Sequence, residues 1–320
     1  MKRLLCTILA LLLLCGCGAA SSSQQTVAVQ PPAAAETETE ITFTDDLGRS
    51  VTVDRPQRVA VLLGSFAEIW CLAGGDDSMV ATANDAWTSF DGLPLDGVAN
   101  LGSTKDLNLE QLIAAQPDFI VASTNTQLDL DLEPTFEQWG VPAAYFTVEK
   151  FEDYLRMLDI CTRITGNRQA YEDAGLAVKQ QVEQAKAKAD GSSPRVLYLR
   201  ATSTYCRAKN NEGSVLGEML ADLDAENIAD SETGLLENLS MEVILAEEPE
   251  YIFVVYHATD NAAAEEMFAS TVASDPAWAS LKAVQEGRCY VLDPELYNLK
   301  PNARWGEAYE QLAEILYPAA

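Results

Sequence analysis

Apolar and polar residues alternate through Ile41 and Phe43, pause at Asp45-Asp46-Leu47-Gly48, and alternate again through Val51 and Val53. A period of two on both sides of a glycine-bearing turn predicts a β-hairpin, and Pro56 ends it. Arg58 to Leu63 is a nearly continuous apolar run and reads as a buried strand. Gly64-Ser65 then turns the chain into a helix carrying Phe66, Ile69, Trp70 and Ala73. Val98 to Leu101 leads into a loop. Asn108 to Ala115 reads as a helix stopped by Pro117-Asp118, and Phe119 to Ala122 as the next strand. Strand, helix and strand with short connections imply a parallel sheet. From Phe151 to about Ala189 the apolar residues fall at helical spacing, with Gly166-Asn167 offering a break. Unbroken, a helix of that length would run roughly 50 Å. The strand–helix pattern restarts after Pro194. It predicts a strand at Val196–Leu199, a polar loop and a helix at Val215–Leu223. A helix at Met241–Ala246 follows, then a strand at Tyr251–Val255, a late strand at Tyr290–Leu292 and a closing helix at Trp305–Leu316.

The stretch from Asn108 to Val121 is echoed from Ser240 to Phe253, in register and residue class, over fourteen positions. Leu109-Glu110 corresponds to Met241-Glu242, and Pro117-Asp118 to Pro249-Glu250. A duplicated α/β plan, two lobes joined by the helical stretch, follows from such a repeat. The plainer source is the helix-Pro-strand unit common to α/β proteins.

The first forty residues follow a different logic. Lys2 and Arg3 precede an apolar run, Leu4 to Leu14, too short to span a bilayer comfortably. That run ends in Leu14-Cys15-Gly16-Cys17, which resembles a bacterial lipobox with Cys17 as the lipidated residue. Residues 18–40 are rich in Ser, Ala, Gln, Pro, Thr and Glu and read as a flexible tether. The expected organisation is a signal peptide at 1–16, a lipidated tether at 17–40, an N-terminal lobe at 41–149, an interlobe helix at 150–190 and a C-terminal lobe at 191–320.

Charge narrows the partners. Lys plus Arg is 21 and Asp plus Glu is 49, a net −28. Removing residues 1–16 takes two cations and no acid, giving 19 − 49 = −30. Such a surface repels nucleic acid and anionic lipid headgroups. Cys71, Cys161, Cys206 and Cys289 are widely spaced without a CxxC pair, so no disulfide framework is indicated; Cys71 and Cys161 read as buried thiols.

Several chemistries lack their residues. His257 is the single histidine, and no Gly-x-Ser-x-Gly elbow, P-loop or dinucleotide fingerprint is present. An enzyme would need a nucleophile paired with His257, for example Ser203 or Cys206. A cage for a bare ion needs several His, Cys or carboxylate ligands, so a metal would arrive already chelated.

Three stretches, in order behind the lipobox, resemble the iron-siderophore, haem and cobalamin substrate-binding proteins of ABC importers. They are Asp46-Leu47-Gly48-Arg49-Ser50-Val51, then Leu101-Gly102 through Leu109-Glu110 to Pro117-Asp118, and finally Asp275-Pro276-Ala277-Trp278 through Gly287-Arg288 to Lys300–Gly306. The resemblance covers Ile41 to the end. It implies an α/β fold of two lobes with central parallel sheets, joined by one long rigid helix, with a ligand cleft between them. It further implies a monomer that is no enzyme, carries no cofactor, is lipid-anchored on the outer face of the cell membrane and serves a transmembrane permease dimer. The expected ligand is a chelated iron complex of the siderophore kind; haem and corrinoids remain the alternatives.

Ligands of parallel α/β sheets bind beyond the carboxyl ends of the strands. The loops expected there are 64–66, 84–90, 123–127, 202–210, 256–260 and 297–304. They carry Trp87, Tyr205, Arg207, Lys209, Tyr256, His257, Tyr297, Lys300 and Arg304. Cations concentrated in so acidic a chain point to an anionic ligand. Tyr256 or His257 could also complete the coordination of a chelated iron. The competing structural roles are ion pairs for Lys300 and Arg304 and partial burial for Trp87. Glu110 and Glu242, matched by the echo, occupy positions where the family's glutamates meet arginines of the permease. Helix-dipole stabilisation, about 0.3–1 kcal/mol, is the simpler role for an acid in a first turn.

Overall fold

The computed structural model describes residues 40–257 and 261–318. The signal peptide, Cys17 and nearly all of the tether lie outside the described residues. The hairpin forms as the alternation requires: β1 (Glu40–Thr44) pairs antiparallel with β2 (Ser50–Asp54). Asp45 builds its turn, accepting hydrogen bonds from the Leu47 and Arg49 backbone N–H groups at 3.1 and 2.9 Å. The same carboxylate accepts from Tyr145 N, which fastens the hairpin to the N-terminal lobe.

That lobe holds a five-stranded parallel sheet. Its strands are β3 (Val59–Val61), β4 (Met79–Thr82), β5 (Ala99–Asn100), β8 (Phe119–Ser123) and β9 (Ala143–Phe146), in the order β5-β4-β3-β8-β9. A small hairpin of β6 (Gly102–Ser103) and β7 (Asp106–Leu107) stands apart. The C-terminal lobe repeats the plan with β10 (Arg195–Ala201), β11 (Cys206–Lys209), β12 (Glu226–Asn227), β13 (Tyr251–Tyr256) and β14 (Cys289–Leu292). β10, β13 and β14 are parallel, β11 closes the edge antiparallel to β10, and β12 pairs with the start of β10. Met79–Thr82, Ala143–Phe146 and Cys206–Lys209 are strands that the apolar pattern does not announce. Each is only four residues long, and β11 was expected as loop.

The stretch 150–190 is helical but is two helices rather than one. Phe151–Thr165 ends at Gly166, whose φ of 80° is left-handed, and the chain restarts at Arg168 with the Asn167 side chain capping Ala170 N. The second run passes through a π-turn at Glu172–Leu176 into Ala177–Lys186. It folds back on the first: Tyr154 Oη donates to Ala174 O at 2.8 Å, and Gly175 lies against Leu155 and Leu158. Its far end packs on the closing helix Trp305–Leu316, where Gly306 leaves no room for a side chain against Gln181. A single apolar cluster therefore runs from Val59 and Phe119 through Tyr154 and Val178 to Tyr198, Leu216 and Trp305. Phe151 meets Trp305 edge-on at 6.1 Å. Lobe-to-lobe attachment is thus a packed core.

Candidate functional site

In both sheets the first strand is flanked by its successors on opposite sides, which leaves a crevice at its carboxyl end. In the C-terminal lobe that crevice lies between β10 and β13. Arg200, next to last on β10, stands at its rim, and His257 follows β13 with its backbone N–H donating to Ala201 O at 2.8 Å. A cavity of about 370 Å³ opens here between the lobes. Asn125, Val148 and Glu149 line it from the N-terminal lobe; Arg200, Ser214, Asn298 and Lys300 are among those lining it from the C-terminal lobe. A second cavity of about 190 Å³ shares Arg200 and adds Tyr205, Arg207, Lys209 and Leu236.

Strand geometry explains the shared wall. Directly paired residues of antiparallel strands point to the same face, as do residues two apart along a strand. Arg200 pairs with Arg207 and Tyr198 with Lys209, so all four side chains share one face. Arg200 donates to Tyr198 Oη at 3.0 Å, no carboxylate pairs with it among the described residues, and its Nε is buried without a partner there. Arg207 lies 4.5 Å over the ring of Tyr205, likewise with no acid among the described residues. Burial pushes Lys209 below its usual range and Arg200 adds to the shift. Lys300 is also held down, first by burial and then by Arg200, while Glu149 and Asp85 across the cleft oppose the shift. Partial burial, then Arg200, Lys105 and Lys300, hold the His257 imidazole below its ordinary value. Four cations thus line two cavities that share Arg200, and His257 adjoins the larger through Asn298, in an acidic protein.

Of the residues expected in the cleft, Lys300 lines the larger cavity and Tyr205, Arg207 and Lys209 line the smaller; His257 lines neither but meets Asn298, at the wall of the larger, at 2.6 Å. Trp87 is 38% exposed, on a short helix whose first residue, Asp85, lies within electrostatic reach of Lys300. Three expectations need correction. Tyr256 pairs with Ala201 and so faces the opposite side of the sheet from Arg200, in an apolar cluster with Ala208 and Ala264. Tyr297 is 1% exposed and donates its hydroxyl to Ala308 O at 2.9 Å, which makes it core. Arg304 is committed to Glu307 at 2.8 Å and Glu295 at 3.2 Å and lines neither cavity. Of the two candidate iron ligands, His257 is the one that meets a residue lining the cleft, Asn298.

Arg200, Glu149 and Lys105 lie outside the loops expected at the cleft, while Asn125 and Asn298 lie within them but were not singled out. Arg200 carried a signal, a cation at the end of the apolar run Val196–Leu199; the others needed the lobes to be brought together. A Cys206 nucleophile finds no support, because burial pushes its thiol up to about 12. Among the described residues all four cysteines are free, and no cluster of three or more His, Cys, Asp or Glu could hold a metal ion.

The echoed segments are duplicated in atomic detail. Asn108 and Ser240 each cap their helix by accepting from the third backbone N–H, and Gln116 and Glu248 end the helices at φ 47° and 44°. Asp118 N donates to Arg58 O and Glu250 N to Arg195 O, both at 2.8 Å. Arg58 and Arg195 return guanidinium hydrogen bonds to the last helical carbonyls, Ala115 O and Glu247 O, both at 2.5 Å. Glu110 and Glu242 are both exposed, with no ion pair among the described residues.

Comparison with known proteins agrees with this architecture. An ABC transporter substrate-binding lipoprotein of Bacillus subtilis, YvrC, is 23% identical over 285 residues, covering 87% of this chain and 86% of its own. A vitamin B12-binding protein of Vibrio campbellii is 24% identical over 205 residues, 64% of this chain and 73% of its own. The structure of Staphylococcus aureus SirA complexed with staphyloferrin B superposes with a TM-score of 0.65 at 20% identity, covering 87% of this chain and 97% of that one. The family model described as periplasmic binding protein matches residues 59–296, and the chain belongs to that family of non-enzymatic transport components.

Proposed function

We propose that the protein is the extracytoplasmic, lipid-anchored substrate-binding component of an ABC importer that captures an anionic iron chelate in the interlobe cleft and delivers it to the permease. One observation carries the reading: Arg200 is a cleft guanidinium that no carboxylate pairs among the described residues, seconded by Lys300, Lys209, Arg207 and His257, in a chain of net charge −28. A surplus of cations in a strongly acidic protein favours a ligand with oxyanions, and guanidinium groups suit carboxylate and catecholate oxygens. The staphyloferrin B complex of SirA supports an iron chelate. The relatives named vitamin B12-binding proteins favour a corrinoid as the second reading. Haem is the third.

Native mass spectrometry against ferric citrate, a ferric catecholate, a ferric hydroxamate, hemin and cobalamin decides among these. We expect capture of an anionic ferric chelate. Arg200→Ala should weaken it at least about tenfold, or 1.4 kcal/mol, and Arg304→Ala by less than about twofold. Selective capture of cobalamin, with Arg200→Ala unchanged, overturns the anionic assignment. The anchor is Cys17: radiolabelled palmitate should enter the wild type and not Cys17→Ala, and equal labelling of both rejects it.

A further inference from the structure

His257 is the chain's only histidine and bonds Asn298 at the wall of the cleft where a metal complex would sit, so how it addresses a ligand matters. Its Nδ1 lies 2.6 Å from Asn298 Nδ2. An amide nitrogen carries hydrogens and offers no lone pair, so Nδ1 must accept this bond. A neutral imidazole has one ring proton, and it is then on Nε2. Protonating the ring instead would set an Nδ1–H against the amide hydrogens. Arg200, Lys105 and Lys300 nearby also disfavour the imidazolium, and the pKa of His257 is accordingly depressed. The main-chain bond from His257 N to Ala201 O anchors the residue at the end of the sheet.

We infer that His257 meets the bound chelate as a hydrogen-bond donor through Nε2–H and not as a ligand to its metal, with Asn298 as the residue that sets the tautomer. The inference rests on the cleft being the ligand site and deepens that reading. The C-terminal wall then presents donors to the ligand: the Arg200 guanidinium, the Lys300 ammonium and the imidazole N–H. Glu149 and Asn125 face them from the other lobe. Such donors recognise peripheral oxygen atoms, and with Nδ1 committed to Asn298 the imidazole has no free lone pair for iron. The favoured cargo is a chelate whose coordination sphere is already closed and whose oxyanions are exposed. Haem and corrinoids held through an axial imidazole are disfavoured.

A single histidine makes the test clean. In protein labelled with ¹⁵N-histidine, a two-bond proton–nitrogen correlation reports one imidazole. We expect the proton on Nε2 in the free protein, and its retention when gallium citrate, a diamagnetic stand-in for ferric citrate, is added. A proton on Nδ1 in the free protein overturns the inference. Asn298→Asp replaces the donor with an acceptor and should move the proton to Nδ1; an unchanged tautomer removes Asn298 from its role. In a hemin titration the wild type should show no imidazole-ligated absorption band. Such a band, lost in His257→Gln, overturns the donor assignment. If gallium citrate fails to bind, the ligand class proposed above fails, while the free-protein tautomer and the hemin titration still decide the role of His257.

Discussion

Asp129 shows what burial does to a single carboxylate. It is fully buried, accepts one backbone hydrogen bond from Ser123 N at 2.8 Å, and leaves Oδ1 without a partner among the described residues. Burial first, and the neighbouring Asp85 carboxylate after it, push its pKa up to about 7 despite that hydrogen bond. An unfolded aspartate titrates near 3.9. Between about pH 4 and pH 7 the folded state therefore binds more protons than the unfolded state, and this group's contribution to stability falls as pH rises through that window. Asp129→Asn removes the titration. Its midpoint temperature should change less from pH 5 to pH 8 than the wild type's, the two diverging most at pH 8. Parallel pH dependences in thermal melts would show that Asp129 does not titrate there. Little of this was legible beforehand. Asp129 lies in a run of alternating Leu and Asp, and nothing local separates it from its exposed neighbours; Ser123 and Asp85 reach it through the fold. The cations of the cleft were partly legible, because Arg207, Lys209 and Lys300 stand in polar loops or at their edges. Arg304 looked equivalent to them until Glu295 and Glu307 were seen to neutralise it.

Between elements, Asn302 fastens the lobes. It is fully buried at a left-handed φ of 51°, and its Nδ2 donates to Ser65 O at 2.9 Å and Glu68 Oε2 at 2.6 Å in the first helix of the N-terminal lobe. Losing those bonds leaves buried acceptors unsatisfied, at roughly 1–3 kcal/mol. Alanine adds the strain of positive φ, which glycine avoids. Urea denaturation should rank stability as wild type above Asn302→Gly above Asn302→Ala. If both variants match the wild type, the lobes are held elsewhere. Gly166 tells a related story for the interlobe stretch. Helical periodicity continues on both sides of it, so period alone reads one helix. The left-handed Gly166 and the cap at Asn167 turn the chain back, and that choice pays only because Leu155 and Leu158 receive the second helix at Gly175. The Asn108 and Ser240 helices were legible to within a residue, since cap, apolar stripe and proline stop are all local signals.

On the scale of the whole molecule, the echo leaves a matched pair of exposed glutamates, one on each lobe. We propose that Glu110 and Glu242 dock the two lobes on the permease. Both are exposed, begin equivalent helices and make no ion pair among the described residues. Two separated charge contacts fix orientation and steer encounter while allowing release. Glu110→Ala combined with Glu242→Ala should leave the fold and chelate affinity nearly unchanged and abolish uptake in cells. Normal transport at normal protein levels rejects docking and leaves the helix dipole as their role.

Local signals in the chain predicted an α/β molecule with an internal repeat, and the family resemblance added two lobes around a cleft. Apolar periodicity, caps and proline stops act over a few residues, and a duplicated plan repeats them in order. The tertiary structure alone decided which polar residues face one another. Tyr256 and Tyr297 went to the core because strand alternation and the packing of the closing helix turned them inward, while Arg200 and His257 met because β10 and β13, some fifty residues apart, lie side by side. A side chain's partners depend on the pairing of distant strands, and no window of sequence contains that pairing.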